Sequence, residues 1–188
     1  MSILPNSFLE GIKHILDQAC LQDQRVERHK KVVSSLVTLF RSLGFETFKE
    51  YRIKLNSKFR TGIRFGKPRQ REGGLIDFYA KEQAHNIKIA IEYDNTTLIK
   101  WKSIEKLLQS DAHYCFALVY GPKKEIEHLP YFKNNFFRVR QVYTECISQY
   151  NENKEFDKLH DLTKKKFWFG VASKGVLNEI SLKNLMKL

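Results

Sequence analysis

At 188 residues, 42% hydrophobic and 13% aromatic, the chain is long enough for about one domain with a substantial core. Its formal charge of +12 and pI near 9.6 point to a polyanionic partner, since phosphate neutralisation with counterion release dominates nucleic-acid affinity. Cys20, Cys115 and Cys146 are too widely spaced for a zinc cluster or a disulfide framework; with no signal peptide and no membrane-length apolar run, a soluble cytoplasmic protein is expected.

Apolar residues recur at helical spacing over Pro5–Leu21 and again over Val26–Leu43. Asn6 or Ser7 suits the N-cap of the first helix, and Gly44 the C-cap of the second. Phe45–Leu55 alternates around Phe48, Tyr51, Ile53 and Leu55 and predicts a strand, with Glu50 near its centre as a candidate third acid or a solvated strand residue.

From Arg52 to Glu72 eight basic residues face a single acid, while Gly62, Gly66 and Pro68 break the pattern and Phe59 and Phe65 interleave aromatics. A basic hairpin or loop is expected here. Arg60, Arg64, Lys67, Arg69 and Arg71 are candidates to hold a phosphate backbone, as is Lys102 further on.

The stretch Gly73–Asp94 contains two apolar runs, Leu75–Ala80 and Ile87–Tyr93, joined by six mostly polar residues, which predicts two adjacent strands. Ile87, Ile89, Ile91 and Tyr93 share one face; Lys88, Ala90, Glu92 and Asp94 share the other. An antiparallel register that keeps the apolar faces together can set Asp77 opposite Ala90, with Glu92 a diagonal neighbour on the same face. Two acids aimed at one spot repel unless a proton or a cation lies between them. Mg²⁺ bound by Asp77 and Glu92, with water and phosphate oxygens completing its shell, fits that pattern. The bland alternative sends Asp77 to solvent and pairs Glu92 with Lys88.

Asn95–Lys102 reads as a connection, and Ser103 as the cap of a helix through Leu108. Glu105 and His113 flank that helix; Glu105 in a first turn has a structural explanation in the helix dipole, and His113 in packing. Tyr114–Tyr120 is a continuous apolar run, as expected of a buried strand, and Gly121-Pro122 ends it. Beyond lie a short helix over Lys123–His128, a strand or helix over Phe136–Tyr143 and a surface helix or linker over Asn151–Lys166. Phe167–Ala172 is expected to be buried or to form a contact surface, and Val176–Leu188 to be an amphipathic helix. There is no internal repeat, P-loop, G-x-G-x-x-G or nucleophile elbow.

The acid in GGLIDFYA, the second strand IAIEYD, the helix and the buried strand after it resemble the PD-(D/E)XK nuclease superfamily over Val26–Tyr120. The resemblance implies an α/β fold with a restriction-endonuclease-like αβββαβ core, a mixed central sheet flanked by helices. One nuclease domain over 1–188 would comprise N-terminal helices (1–44), a catalytic core (45–120) and a C-terminal elaboration (121–188). Asp77 matches the family's aspartate and Glu92 its second acid; Asp94 occupies the place of the usual lysine, leaving Lys88, Lys100 or Lys102 to supply the positive group off-motif. The basic 22.2 kDa chain and the order Glu50, Asp77, Glu92, Glu105, His113 are similar to small catalytic subunits of heterodimeric type IIS restriction endonucleases.

That similarity implies metal-assisted hydrolysis of one strand of double-stranded DNA, with one or two Mg²⁺ ions held by Asp77 and Glu92. Asp94, Glu50, Glu105 and His113 are further candidates for the catalytic set. A larger subunit would recognise the site and nick the other strand. The alternatives are an inactive nuclease-fold module that binds nucleic acid or a partner, and a structure-selective repair nuclease.

Overall fold

A computed structural model describes residues 6–19, 25–54, 73–96, 98–121, 128–137 and 165–182. Two helices, α1 (Asn6–Ala19) and α2 (Arg25–Ser42), lead into three strands, β1 (Glu46–Lys54), β2 (Gly73–Glu82) and β3 (Ile87–Asp94). Helix α3 (Trp101–Gln109) and strand β4 (Tyr114–Val119) follow, then a helix over 128–137 (α4), strand β5 (Lys166–Val171), a 3-10 turn (Ala172–Lys174) and strand β6 (Val176–Ile180). The strands form one mixed sheet in the order β1-β2-β3-β4-β5-β6. The β1/β2, β2/β3 and β5/β6 pairs are antiparallel, while β3/β4 and β4/β5 are parallel.

Helices cover both faces. On one side Phe8, Ile12, Leu36 and Phe40 of α1 and α2 pack on Phe78, Ile89, Ile91, Phe116 and Trp168. On the other, Ile104, Leu107 and Leu108 of α3, with Phe132 and Phe136 of α4, pack on Tyr79, Ala90, Cys115, Ala117, Phe167 and Phe169. Strand β4, central and covered twice, is buried at all six residues, the state expected of a parallel strand in such a sandwich. Helix α2 ends as expected at Gly44, whose φ of +84° lets its N–H reach Arg41 O and the Phe45 N–H reach Phe40 O.

The predicted β2/β3 register is offset by two residues. Tyr79, not Asp77, lies across from Ala90, and the last backbone-paired rung is Phe78 with Ile91. One step further Asp77 and Glu92 face each other directly. Both versions keep the apolar faces together, so apolar matching alone could not choose between them.

Two other expectations change. Helix α3 begins at Trp101 with Lys100 as its N-cap and no side-chain cap, so Trp101 and Lys102 are helical and Ser103 caps nothing. Val176–Ile180 is a strand because Gly175, at φ +58°, turns the chain back and pairs Val176 with Val171; of the rest of that predicted helix, only Ser181 and Leu182 are described. Of the two alternatives for Phe167–Ala172 the buried one holds, with Phe167, Trp168 and Phe169 all buried in the sheet. The basic residues Arg60, Arg64, Lys67, Arg69 and Arg71 lie outside the described residues, as do most of Lys123–His128 and Asn151–Lys166 and the part of Phe136–Tyr143 beyond position 137. Among the described residues no helix is long and apolar enough to cross a membrane.

Candidate functional site

At Asp77 the sheet forks. The backbone N–H of Asp77 donates to Glu92 Oε1 at 3.2 Å, and the N–H of Tyr93 donates to Asp77 Oδ2 at 2.8 Å. Each strand thus gives a backbone donor to the other strand's carboxylate, in place of the next ladder rung. A distortion accompanies the fork. Ile76 and Tyr79, three positions apart, both join the α3-side core, and Phe48 and Tyr51 of β1 both pack against that core as well. Undistorted strands would send such pairs to opposite faces. Between Phe48 and Tyr51 sits Glu50, with a φ of +51°, a left-handed conformation unusual for a residue with a side chain.

The two acids have different surroundings. Asp77 keeps about a quarter of its side chain exposed, whereas Glu92 is almost wholly buried. Burial first, and the neighbouring Asp77 second, push Glu92 up to about 8 despite an ammonium 2.5 Å from its Oε2. That ammonium belongs to Lys106 of α3, which also donates to Leu75 O at 2.6 Å. An ion pair this close favours the carboxylate, but desolvation and the like charge of Asp77 outweigh it. Lys106 reaches from the helix to the position beside the second acid that was expected for Lys88, Lys100 or Lys102. Lys88 instead pairs with Asp111 at 2.7 Å, and Lys100 with Asp94 at 2.8 Å. The predicted Glu92–Lys88 alternative is therefore not what forms.

From the opposite face α2 contributes His29, whose Nε2 lies 3.6 Å from Asp77 Oδ2 and whose ring centroid is 5.9 Å from that of Tyr93. Its pKa is raised, chiefly by contact with Asp77 and against partial burial, with Asp94 and Glu50 adding to the effect. Asp77, Glu92, Lys106 and His29 open into a cleft of about 810 Å³, whose walls also include Lys30, Lys100, Lys102, Asp94, Asn95 and Val26. The two acids at the fork, with lysines along the cleft walls, suit a cation held against a phosphate.

The other predicted residues divide. Asp94 lines the cleft, but both its oxygens are engaged: Oδ2 accepts the Lys100 backbone N–H at 2.8 Å and Oδ1 the Lys100 ammonium. It fixes the entry to α3. Lys102 lines the cleft wall from the first turn of that helix. Glu50 reaches the group only electrostatically, through His29. Glu105 is the fifth residue of α3, buried and accepting from Gln109 Nε2 at 3.3 Å, so the helix-dipole explanation for it fails and it is not among the cleft residues. His113 sits at the other end of the sheet, its backbone N–H on Lys88 O and its carbonyl accepting from Lys166.

Among the described residues no group of three or more His, Cys, Asp and Glu side chains forms a ready metal cage. Asp77 and Glu92 nevertheless suit Mg²⁺, which takes one or two carboxylates and completes its shell with water and phosphate. Both are hard oxygen donors, brought together at the β2/β3 fork. Among the described residues Asp77 Oδ1 makes no hydrogen bond or ion pair.

Lys106 and His29 are the site residues that sequence reasoning missed. A signal existed for Lys106, a lone basic residue between the apolar positions Ile104, Leu107 and Leu108 of a helix expected to pack on this sheet. None existed for His29. No protein-family model, curated protein or solved structure matches the chain.

Proposed function

We propose that the protein is a metal-dependent endonuclease subunit that hydrolyses a phosphodiester in one strand of double-stranded DNA. The observation that carries this reading is the convergence of Asp77 and Glu92 at the β2/β3 fork, with Lys106 against the second acid. The element order α2-β1-β2-β3-α3-β4 is consistent with the αβββαβ core implied by sequence. In this reading Asp77 and Glu92 hold one or two Mg²⁺ ions; a bound ion would polarise the scissile phosphate and acidify a coordinated water. Lys106 stands in for the motif lysine: its ammonium keeps Glu92 oriented and offers positive charge where the phosphorane charge develops. Lys30 and Lys102 on the cleft wall, with the basic residues from Arg60 to Arg71, would hold the strand by its phosphates without reading bases. With no recognisable base-reading module in the sequence, site recognition falls to a larger partner subunit.

The test is plasmid nicking with Mg²⁺, alone and with a candidate larger site-recognising subunit, resolved by strand. One-strand cleavage by this chain, lost in Asp77→Asn and Glu92→Gln with the fold retained by circular dichroism, is expected. Near-normal nicking by either variant would end the metal reading. DNA binding with no cleavage under any cation would favour the inactive binding module, and preference for flapped or branched DNA the repair nuclease.

A further inference from the structure

We infer that His29 is a positioning residue for the cation site, bracing Asp77 so that its Oδ1 faces the ion. This rests on the cation-dependent function proposed above. Asp77 is the more exposed of the two acids, and a carboxylate in an open cleft rotates unless something holds it. Its Oδ2 has two neighbours, the Tyr93 N–H at 2.8 Å and His29 Nε2 at 3.6 Å. The backbone donor fixes one point; the imidazole, arriving from the other face, restricts rotation about it. At 3.6 Å the contact is electrostatic rather than a formed hydrogen bond, and site contacts of this kind tighten when the full complex assembles.

The brace is itself anchored. His29 follows Arg28, which is buried, donates to Asn95 Oδ1 at 3.0 Å and places its guanidinium 3.5 Å from the centroid of the Tyr120 ring. Those contacts tie α2 to the segment just after β3 and to the end of β4. Val32 and Val33 bury the next turn of α2 in the core, and the imidazole ring lies against Tyr93. The imidazole is thus fixed to the strand that carries Glu92 by contacts independent of Asp77. Outer groups that orient a ligand in this way typically govern metal affinity by about 10–100-fold.

The experiment is Mn²⁺ titration of the whole chain, followed by electron paramagnetic resonance of the free ion, with no DNA present. Mn²⁺ binding by the unsubstituted protein, its loss in Asp77→Asn and a weakening of about tenfold or more in His29→Ala are expected. His29→Gln, whose amide can still donate to Oδ2, should recover most of the affinity. In the nicking assay the half-saturating Mn²⁺ concentration of His29→Ala should rise by a similar factor. Affinity unchanged within about twofold in a folded His29→Ala protein would overturn the inference while leaving the cation site standing. Equal loss in the Ala and Gln variants would make His29 a ligand and also overturn its positioning role. No Mn²⁺ binding by the unsubstituted chain would remove the proposed function and this inference together.

Discussion

The Lys106 ammonium lies 2.5 Å from Glu92 Oε2, so a helix supplies the positive charge that the strand, with Asp94 two residues after Glu92, does not. For the proposed reaction, charge placement in the fork would matter more than position along β3.

Lys106→Met should lower Mg²⁺-dependent nicking by at least about 100-fold, the usual cost of removing one preorganised donor from a reacting centre. Lys100→Met, which removes the partner of Asp94 instead, should stay within about threefold of the unsubstituted rate. Initial rates at saturating Mg²⁺ decide it; equal effects of the two substitutions would deny Lys106 its special place.

Asp94 is expected to act as a strut and not as a ligand. Asp94→Ala removes the acceptor of both Lys100 contacts and should cost about 1–3 kcal/mol, read from denaturant unfolding. Asp94→Asn keeps an acceptor and should bind Mn²⁺ within about threefold of the unsubstituted chain. A loss of cation affinity in the Asn variant would return Asp94 to the metal shell.

Stability should fall with rising pH in a way that Glu92 controls. Its ordinary pKa of 4.5 applies to the unfolded chain, and in the fold burial and Asp77 push it up to about 8. Between those values unfolding releases a proton, so its stabilising contribution is complete below 4.5 and is lost as pH climbs toward 8. His29, also raised, acts with the same sign, so the difference between proteins isolates the glutamate. Thermal melts without divalent cation should show a steep decline for the unsubstituted chain over about pH 5–8 and a shallower one for Glu92→Gln. Parallel curves would mean that Glu92 is ionised in the fold.

Neutralising Arg60, Arg64 and Arg69 together should weaken DNA binding and reduce the slope of log affinity against log salt by about 3, close to one unit per phosphate contact. Fluorescence anisotropy over a salt series measures the slope. An unchanged slope would mean that this segment touches no phosphate.

Much of this geometry was legible in sequence because period-two patterning determines faces. Alternation in IKIAIEYD placed Glu92 with Ala90, away from Ile89 and Ile91, and the continuous run YCFALV announced a strand covered on both sides. Patterning fixes only the parity of a register, which is why Asp77 and Glu92 were expected on one face but as diagonal neighbours rather than directly across. The remaining gaps involve contacts between elements distant in sequence. Lys106 depends on the rotational phase of α3, and His29 on how α2 crosses the sheet. Val176–Leu188 has helical spacing at Ile180, Leu182, Leu185 and Met186, yet the open edge of β5 and the turn at Gly175 captured its first five residues as a strand.

The reciprocal bonds at the fork make the two acids part of the seam that joins their strands. Replacing either by alanine would strip a backbone amide of its acceptor and unzip the sheet locally, so lost turnover in such a protein would not separate damaged architecture from damaged chemistry. Amide isosteres keep an oxygen for those amides while discarding the charge. Selection for activity alone would therefore score these positions as intolerant for two superimposed reasons.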